Sequence, residues 1–140
     1  DMLDKIFLFS GEHFALVTTF VVLVGLFLYT ETLRGGEQVS PQQLSNLINR
    51  EDALVIDLRS VDAFRKGHIQ GSENVPSDKF DGELVRLEKL GERPIVLACE
   101  LGNLTGAAGR KLLAKKLKRV YRLKGGIDAW VGEKLPLVKG

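Results

Sequence analysis

The sequence predicts an α/β domain whose parallel sheet is covered by helices on both faces, preceded by one membrane-spanning helix. Two observations carry the domain. Short apolar runs such as Ala53-Leu54-Val55-Ile56 and Ile95-Val96-Leu97-Ala98 read as buried strands, and stretches with helical spacing alternate with them. A third observation carries the membrane helix: residues 14–29 hold no charge, and Thr18 and Thr19 are their clearly polar side chains. Averages over the 140 residues, 44% hydrophobic and 27% charged with a net charge of +2, therefore blend two different solvents.

The chain begins with a flank, residues 1–13, in which Ile6-Phe7-Leu8-Phe9 forms a short apolar patch suited to the headgroup layer or to a docking partner. The expected transmembrane helix covers residues 14–30. As a helix, 14–29 reaches roughly 24 Å at about 1.5 Å per residue, and Thr30 brings it to the lower limit of a bilayer crossing. A core helix of a soluble domain keeps a polar face, and this one has none. A cleaved signal peptide needs a basic start and a small-residue end, whereas Asp1, Asp4, Lys5 and Glu12 precede the run and Tyr29-Thr30-Glu31-Thr32 closes it. An interfacial helix wants a basic face, also missing. Lys5 before the span against Arg34 and Arg50 after it is a weak positive-inside signal that leans toward a cytoplasmic domain. A single cysteine, with no disulfide framework, agrees with that compartment.

Residues 31–38, with Arg34-Gly35-Gly36-Glu37, read as a polar linker, and the soluble domain is expected over 39–140. Ser40-Pro41-Gln42-Gln43 places a cap, a proline at the first helical position and a glutamine at the third, so a helix runs to about Asn49. The strand at 53–56 ends in Asp57-Leu58-Arg59. Ser60 caps a short helix over 61–66 that Gly67 ends, Asn74-Val75-Pro76-Ser77 is a loop, and 81–90 is a helix with Leu84, Leu87 and Leu90 inward and Gly91 as its stop. A strand over 94–98 leads to a helix over 105–117, with Leu112, Leu113 and Leu117 in the core and Arg110, Lys111, Lys115, Lys116 and Lys118 outward. Val120-Tyr121-Arg122-Leu123 is the last strand, Gly125-Gly126 a turn, and 127–131 a short helix around a core Trp130. The basic helix face reads first as a solvated one: the net charge is small and no aromatics interleave for base stacking, so no nucleic-acid partner is implied, and contact with anionic lipid stands beside it as the lesser alternative because the anchor holds this face near a membrane.

The chemistry-bearing residue is Cys99, which opens the strand-to-helix loop. Such a loop gathers backbone N–H groups and the positive end of a helix around its centre, and both favour thiolate, the nucleophilic form. On composition alone a lone cysteine is more often inert packing. No cluster of Cys, His and carboxylates has zinc-ligand spacing, so neither a metal nor another cofactor is expected.

The flanking residues change that balance. Val55-Ile56-Asp57-Leu58-Arg59, followed by Asp62-Ala63-Phe64-Arg65-Lys66-Gly67-His68-Ile69-Gln70-Gly71-Ser72-Glu73-Asn74-Val75-Pro76, resembles the N-terminal signature of the rhodanese (sulfurtransferase) family, and Leu123-Lys124-Gly125-Gly126-Ile127-Asp128-Ala129-Trp130 resembles its C-terminal one. With the apolar segment in front, the chain is similar to the membrane-tethered, single-domain bacterial rhodaneses. The resemblance implies a five-stranded parallel sheet flanked by helices, with Cys99 at the active-site position after the fourth strand. It implies a persulfide on Cys99 as covalent intermediate, a sulfane-sulfur donor and a thiol acceptor as partners, and an active-site loop in which the N–H groups of Glu100, Leu101, Gly102, Asn103, Leu104 and Thr105 cradle the sulfur. Asp57, Arg59 and His68 are expected to brace the fold. The implied place is the bacterial inner membrane, single-pass, with the bilayer and a membrane protein complex as neighbours.

The loop departs from the family's common C-R-x-G-x-R-[ST]. Glu100 and Leu104 stand where arginines are frequent, so thiosulfate turnover is expected to be poor. Retained Cys99 favours an enzyme moving sulfane sulfur. The missing arginines favour the alternative, a non-catalytic interaction module or accessory subunit of a membrane complex.

Overall fold

The computed structural model describes residues 1–33 and 35–140, the side chains of residues 10 and 31–33 excepted. Arg34, read as part of the linker, lies outside the described residues. The chain forms two compact units, Asp1–Leu33 and Arg34–Gly140.

The first unit is α1 (Met2–Glu12) and α2 (Phe14–Leu33). His13 separates them: its N–H donates to the Phe9 carbonyl at 3.0 Å, closing α1, and its ring stacks on Phe9 at 4.6 Å. Along α2 the apolar side chains stay exposed, Phe14 and Phe20 by 70% and 68%. Thr19 and Thr30 turn their hydroxyls back onto the carbonyls of Ala15 and Phe27 at 2.7 and 2.8 Å. Residues 14–30 are thus helical. Among the described residues, however, no single helix is long and apolar enough to cross a membrane; Met2–Phe9 and Phe14–Thr30 reach that length and composition only as a pair, bent by 75° at the break.

The second unit is built on five strands, β1 (Glu37–Val39), β2 (Leu54–Asp57), β3 (Glu73–Asn74), β4 (Ile95–Ala98) and β5 (Val120–Leu123). They lie in the order β1-β5-β4-β2-β3, and every neighbouring pair is parallel. Around them stand α3 (Pro41–Glu51), α4 (Val61–Lys66), a 3-10 segment (Ser77–Glu83), α5 (Leu84–Glu88), α6 (Thr105–Ala114) and α7 (Gly126–Gly132). The expected caps form. Ser40 Oγ accepts from Gln43 N at 3.1 Å while Gln43 Oε1 accepts from Ser40 N at 2.8 Å, and Ser60 Oγ accepts from Ala63 N at 3.2 Å.

Strand periodicity of two divides the core and aims the cysteine. Leu54, Ile56, Ile95 and Leu97 pack on one face with Phe80, Leu87 and Leu112, and Cys99 continues that face one step past β4. Val55, Val96 and Ala98 pack on the other with Leu44, Leu123, Ile127 and Trp130. Both faces are covered, which is why β2 and β4 read as unbroken apolar runs. A side chain as enclosed as Leu97, at 0% exposure, contributes about 1.5–3 kcal/mol by leaving water.

Five expectations are corrected. The linker read over 31–38 supplies β1, so the domain's first strand starts before 39. Its Gly35 is packed against α6: a Cβ on Gly109 would stand 1.7 Å from the Gly35 carbonyl oxygen, and one on Gly35 2.1 Å from that of Gly106. Part of the segment read as a loop pairs as β3, through Ile56–Glu73 and Asp57–Asn74. The helix expected over 81–90 is the 3-10 segment followed by α5, because Ser77, Asp78, Asp81 and Gly82 favour tight turns over a continued helix. α6 stops at Ala114, where Lys116 follows in the left-handed region at φ 67°. Leu113 is 36% exposed rather than in the core, since α6 buries 105, 108, 109 and 112 and position 113 lies a further 100° around the helix.

Candidate active site

The loop between β4 and α6 starts at the carboxyl edge of the central strands, where open parallel sheets place their sites. Two neighbouring segments, the stretch after β2 and the start of α7, hold its first residues. Leu58 N donates to the Ala98 carbonyl at 2.8 Å, Ile127 N to that of Cys99 at 2.8 Å, and Asp128 N to that of Glu100 at 3.1 Å. The first turn of α7 therefore grips the loop from beneath. This contact requires glycine at 126: its φ is 67°, and a Cβ there would stand 2.3 Å from the Cys99 carbonyl oxygen and 2.5 Å from that of Glu100. The C-terminal Gly125-Gly126 signature thus does its work at the cysteine.

With the loop's first carbonyls held by these neighbours, later N–H groups turn inward. Gly102 N donates to Cys99 Sγ at 3.0 Å and Leu104 N at 3.4 Å. Of the six amides expected over Glu100–Thr105, these two reach the sulfur. Thr105 contributes through its side chain, whose hydroxyl donates to the Gly102 carbonyl at 3.0 Å and braces the turn. The thiol donates to Asn103 Oδ1 at 3.6 Å. Sequence reasoning named Asn103 for its backbone and missed that side chain; its position four residues after the cysteine, inside a tight loop, was the available signal.

Cys99 is 1% exposed and sits at the base of a cleft of about 370 Å³. The cleft is walled by apolar Leu58, Ala63, Leu101 and Leu104 and by the neutral polar groups of Ser60, Ser77 and Asn103. Leu101 and Leu104 stand at its rim, 63% and 46% exposed. Two charged residues line it, Arg59 and Glu100. A larger cavity of about 570 Å³ lies between β1 and α3, lined by Glu37, Gln43, Asn46, Arg50, Glu51 and Tyr121 among others, away from Cys99.

Arg59 is not available to a ligand's charge. Its Nη2 donates to Asp57 Oδ2 at 2.9 Å and to the Gly67 carbonyl at 2.7 Å, and its Nε to Asp57 Oδ1 at 3.0 Å. Asp57 is fully buried, and Asn74 Nδ2 ties the carbonyls of Asp57 and Arg59 together at 3.1 and 2.9 Å. Buried charges persist when paired and hydrogen-bonded in this way. His68 is turned to the fold as well: its Nδ1–H donates to the Phe64 carbonyl at 2.9 Å, its ring stacks on Phe64 at 3.8 Å, and its backbone bridges Val138. It does not line the cleft. Trp130 is in the core, its indole N–H donating to the Pro136 carbonyl at 3.0 Å.

The guanidinium groups held most firmly in their charged form lie away from the cleft. Arg119 is raised above its ordinary range by its bonds to Glu51 and Tyr121, and Arg86 by its bonds to Glu83 and Glu73. Among the described residues, no three His, Cys, Asp or Glu side chains gather as metal ligands.

Residues 40–133 match the model of the rhodanese-like domain. The chain is 35% identical over 142 residues to the uncharacterized protein YibN of Escherichia coli (strain K12), covering 99% of both. It is 26% identical over 103 residues to the thiosulfate sulfurtransferase GlpE of Glaesserella parasuis serovar 5 (strain SH0165), covering 74% of this chain and 94% of that one. Among solved structures, a rhodanese-related protein from Thermoplasma volcanium matches with a TM-score of 0.57 at 26% identity, over 73% of this chain and 97% of that one. A five-stranded parallel sheet with its lone cysteine at the fourth strand's end, together with a family model matching most of the chain, leads to one conclusion: this chain belongs to the rhodanese-like domain family.

Proposed function

We propose that the protein is a sulfurtransferase in which Cys99 carries sulfane sulfur as a persulfide, taking it from a persulfide donor and passing it to a thiol. The observation that carries this reading is the pair of N–H groups from Gly102 and Leu104 aimed at Cys99 Sγ. Donors fixed on a water-poor sulfur stabilise negative charge there, on a thiolate before transfer and on a persulfide after it. Chemistry proceeds by attack of the thiolate on the outer sulfur of the donor, whose S–S bond breaks as the new one to Cys99 forms. Thiosulfate is a poor donor here, because Arg59 is spent on Asp57 and the unpaired charge at the cleft is Glu100.

The test is sulfur transfer to a thiol acceptor from glutathione persulfide and, separately, from thiosulfate. Turnover with the persulfide that exceeds turnover with thiosulfate and disappears in Cys99→Ser is the expected result. Equal transfer by Cys99→Ser removes the reading. Arg59, the basic residue that lines the cleft among the described residues, is paired with Asp57, and this also favours a second reading, a rhodanese-fold interaction module without catalysis; no transfer by the wild type from either donor would favour it.

We place the protein, as part of the same proposal, at a bacterial inner membrane, anchored through the apolar helix that holds 14–30 and with the α/β unit in the cytoplasm, close to a membrane protein complex. The exposed apolar surface of α2 and the hydroxyls of Thr19 and Thr30 folded onto their own helix suit a surrounding without water. Full-length protein that stays with membranes in alkaline carbonate supports the anchor, and release into the supernatant sinks it.

A further inference from the structure

Cys99 is 1% exposed, so its sulfur relies chiefly on protein partners in each protonation state. Gly102 and Leu104 present donors, which suit a sulfur anion but cannot take the proton of a neutral thiol. The acceptor for that proton is Asn103 Oδ1, 3.6 Å from Sγ. A carboxamide is nearly symmetrical in shape. Turning it by about 180° puts its NH₂ where its oxygen stood and exchanges an acceptor for two donors. Asn103 is exposed, so water satisfies whichever end faces outward and the turn displaces nothing packed.

Two other polar groups of the cleft are engaged elsewhere. Arg59 is held by Asp57 and the Gly67 carbonyl, and Ser60 Oγ caps α4. Glu100, the remaining charged residue lining the cleft, opposes a negative sulfur.

We propose that Asn103 is a catalytic residue whose carboxamide accepts from the Cys99 thiol and, once turned, donates to the thiolate and then to the persulfide anion. This rests on the sulfurtransferase reading. The thiol proton leaves to solvent as the amide turns. The thiolate then attacks the outer sulfur of a donor R–S–SH: the bond from Cys99 Sγ to that sulfur forms, the donor's own S–S bond breaks, and R–S⁻ departs with the electron pair and is protonated by water. The new Cys99–S–SH gives its proton to solvent. Return of the outer sulfur to an acceptor thiolate is the same exchange in the opposite direction and regenerates the Cys99 thiolate, so no outside oxidant or reductant enters.

The experiment uses full-length protein carrying Asn103→Leu, similar in shape without polar ends, or Asn103→Asp, similar in shape with acceptors alone. Two readouts need no substrate: the pH dependence of Cys99 alkylation by iodoacetamide, and the S–H stretching band in the infrared at acid pH. For Asn103→Leu the half-maximal alkylation pH should rise by about one unit, about tenfold in rate below that midpoint, and the S–H band should move to the position of an unbonded thiol. For Asn103→Asp alkylation should move further in the same direction, while the S–H band keeps its hydrogen-bonded position. Glutathione persulfide turnover should fall about tenfold in kcat for Asn103→Leu, with KM nearly unchanged. An Asn103→Leu alkylation profile that overlays the wild type, in a wild type that transfers sulfur, overturns the role of Asn103 alone. A shifted profile in a wild type that transfers none overturns the sulfurtransferase reading and, with it, the catalytic role of Asn103.

Discussion

Two loops leave neighbouring central strands at the same edge of the sheet, and they spend their polar groups in opposite ways. After β2, Asp57, Arg59 and Asn74 satisfy one another: a buried carboxylate, a guanidinium and a carboxamide close a network that faces inward. After β4, the polar groups converge on one atom. Gly102 N, Leu104 N and Asn103 Oδ1 all meet Cys99 Sγ, while the first carbonyls of the loop are held by α7. The first arrangement yields rigidity, because every charge has its partner. The second, on the proposed function, serves reactivity, because hydrogen-bonding capacity is left directed at the sulfur whose charge that function changes. The difference also explains the electrostatics of the cleft. Its arginine belongs to the rigid loop and adds no attraction for an anion.

Substitutions should separate the two loops, and the largest effect falls on the rigid one. Asp57→Ala leaves Arg59 buried without its partner and should cost about 3–5 kcal/mol of folding stability, read by urea unfolding; a loss below about 1 kcal/mol would mean that the network is not closed. Gly126→Ala attacks the second loop from below. Its Cβ meets the Cys99 and Glu100 carbonyls, and a displacement of about 1 Å at the sulfur should lower transfer about a hundredfold. Unchanged turnover in a folded Gly126→Ala protein would show that α7 does not set the sulfur's position. The smallest effect is a gain. Leu104→Arg adds a cation at the cleft rim, and one charge-assisted contact worth about 1.5–3 kcal/mol should raise thiosulfate:cyanide activity by roughly one to two powers of ten. Activity that stays flat would remove the charge argument for poor thiosulfate turnover.

The same contrast runs through what the sequence discloses. β2 and β4 are legible because burial on both sides leaves apolar runs, and α3 and α4 because Ser40 and Ser60 cap them by local rules. β1 and β3 are not. They are three and two residues long, carry Glu37, Gln38, Glu73 and Asn74, and are strands only because β5 and β2 offer them a partner. Gly35 reads as linker flexibility, yet its position is set by close approach to Gly109, seventy-four residues away in sequence. At the site, the residue types of the Asp57–Arg59 brace were readable, since a carboxylate and a guanidinium two apart at a strand end suggest a pair. The place of Cys99 in a strand-to-helix loop was readable from the apolar run before it, and the expectation that it is the reactive residue only through its flanking signatures. Which amides reach the sulfur, and that the Asn103 side chain does, depends on the path of six loop residues held by α7, and no local pattern encodes that path.

Everything in the second loop's favour rests on sulfur passing through Cys99. The most direct measurement is peptide mass spectrometry of full-length protein isolated without reductant after brief exposure to glutathione persulfide. The account predicts one added sulfur atom on the peptide containing Cys99, removed by a thiol acceptor. A Cys99 peptide that never gains sulfur, in protein whose cysteine is reduced and whose fold is intact, would contradict it.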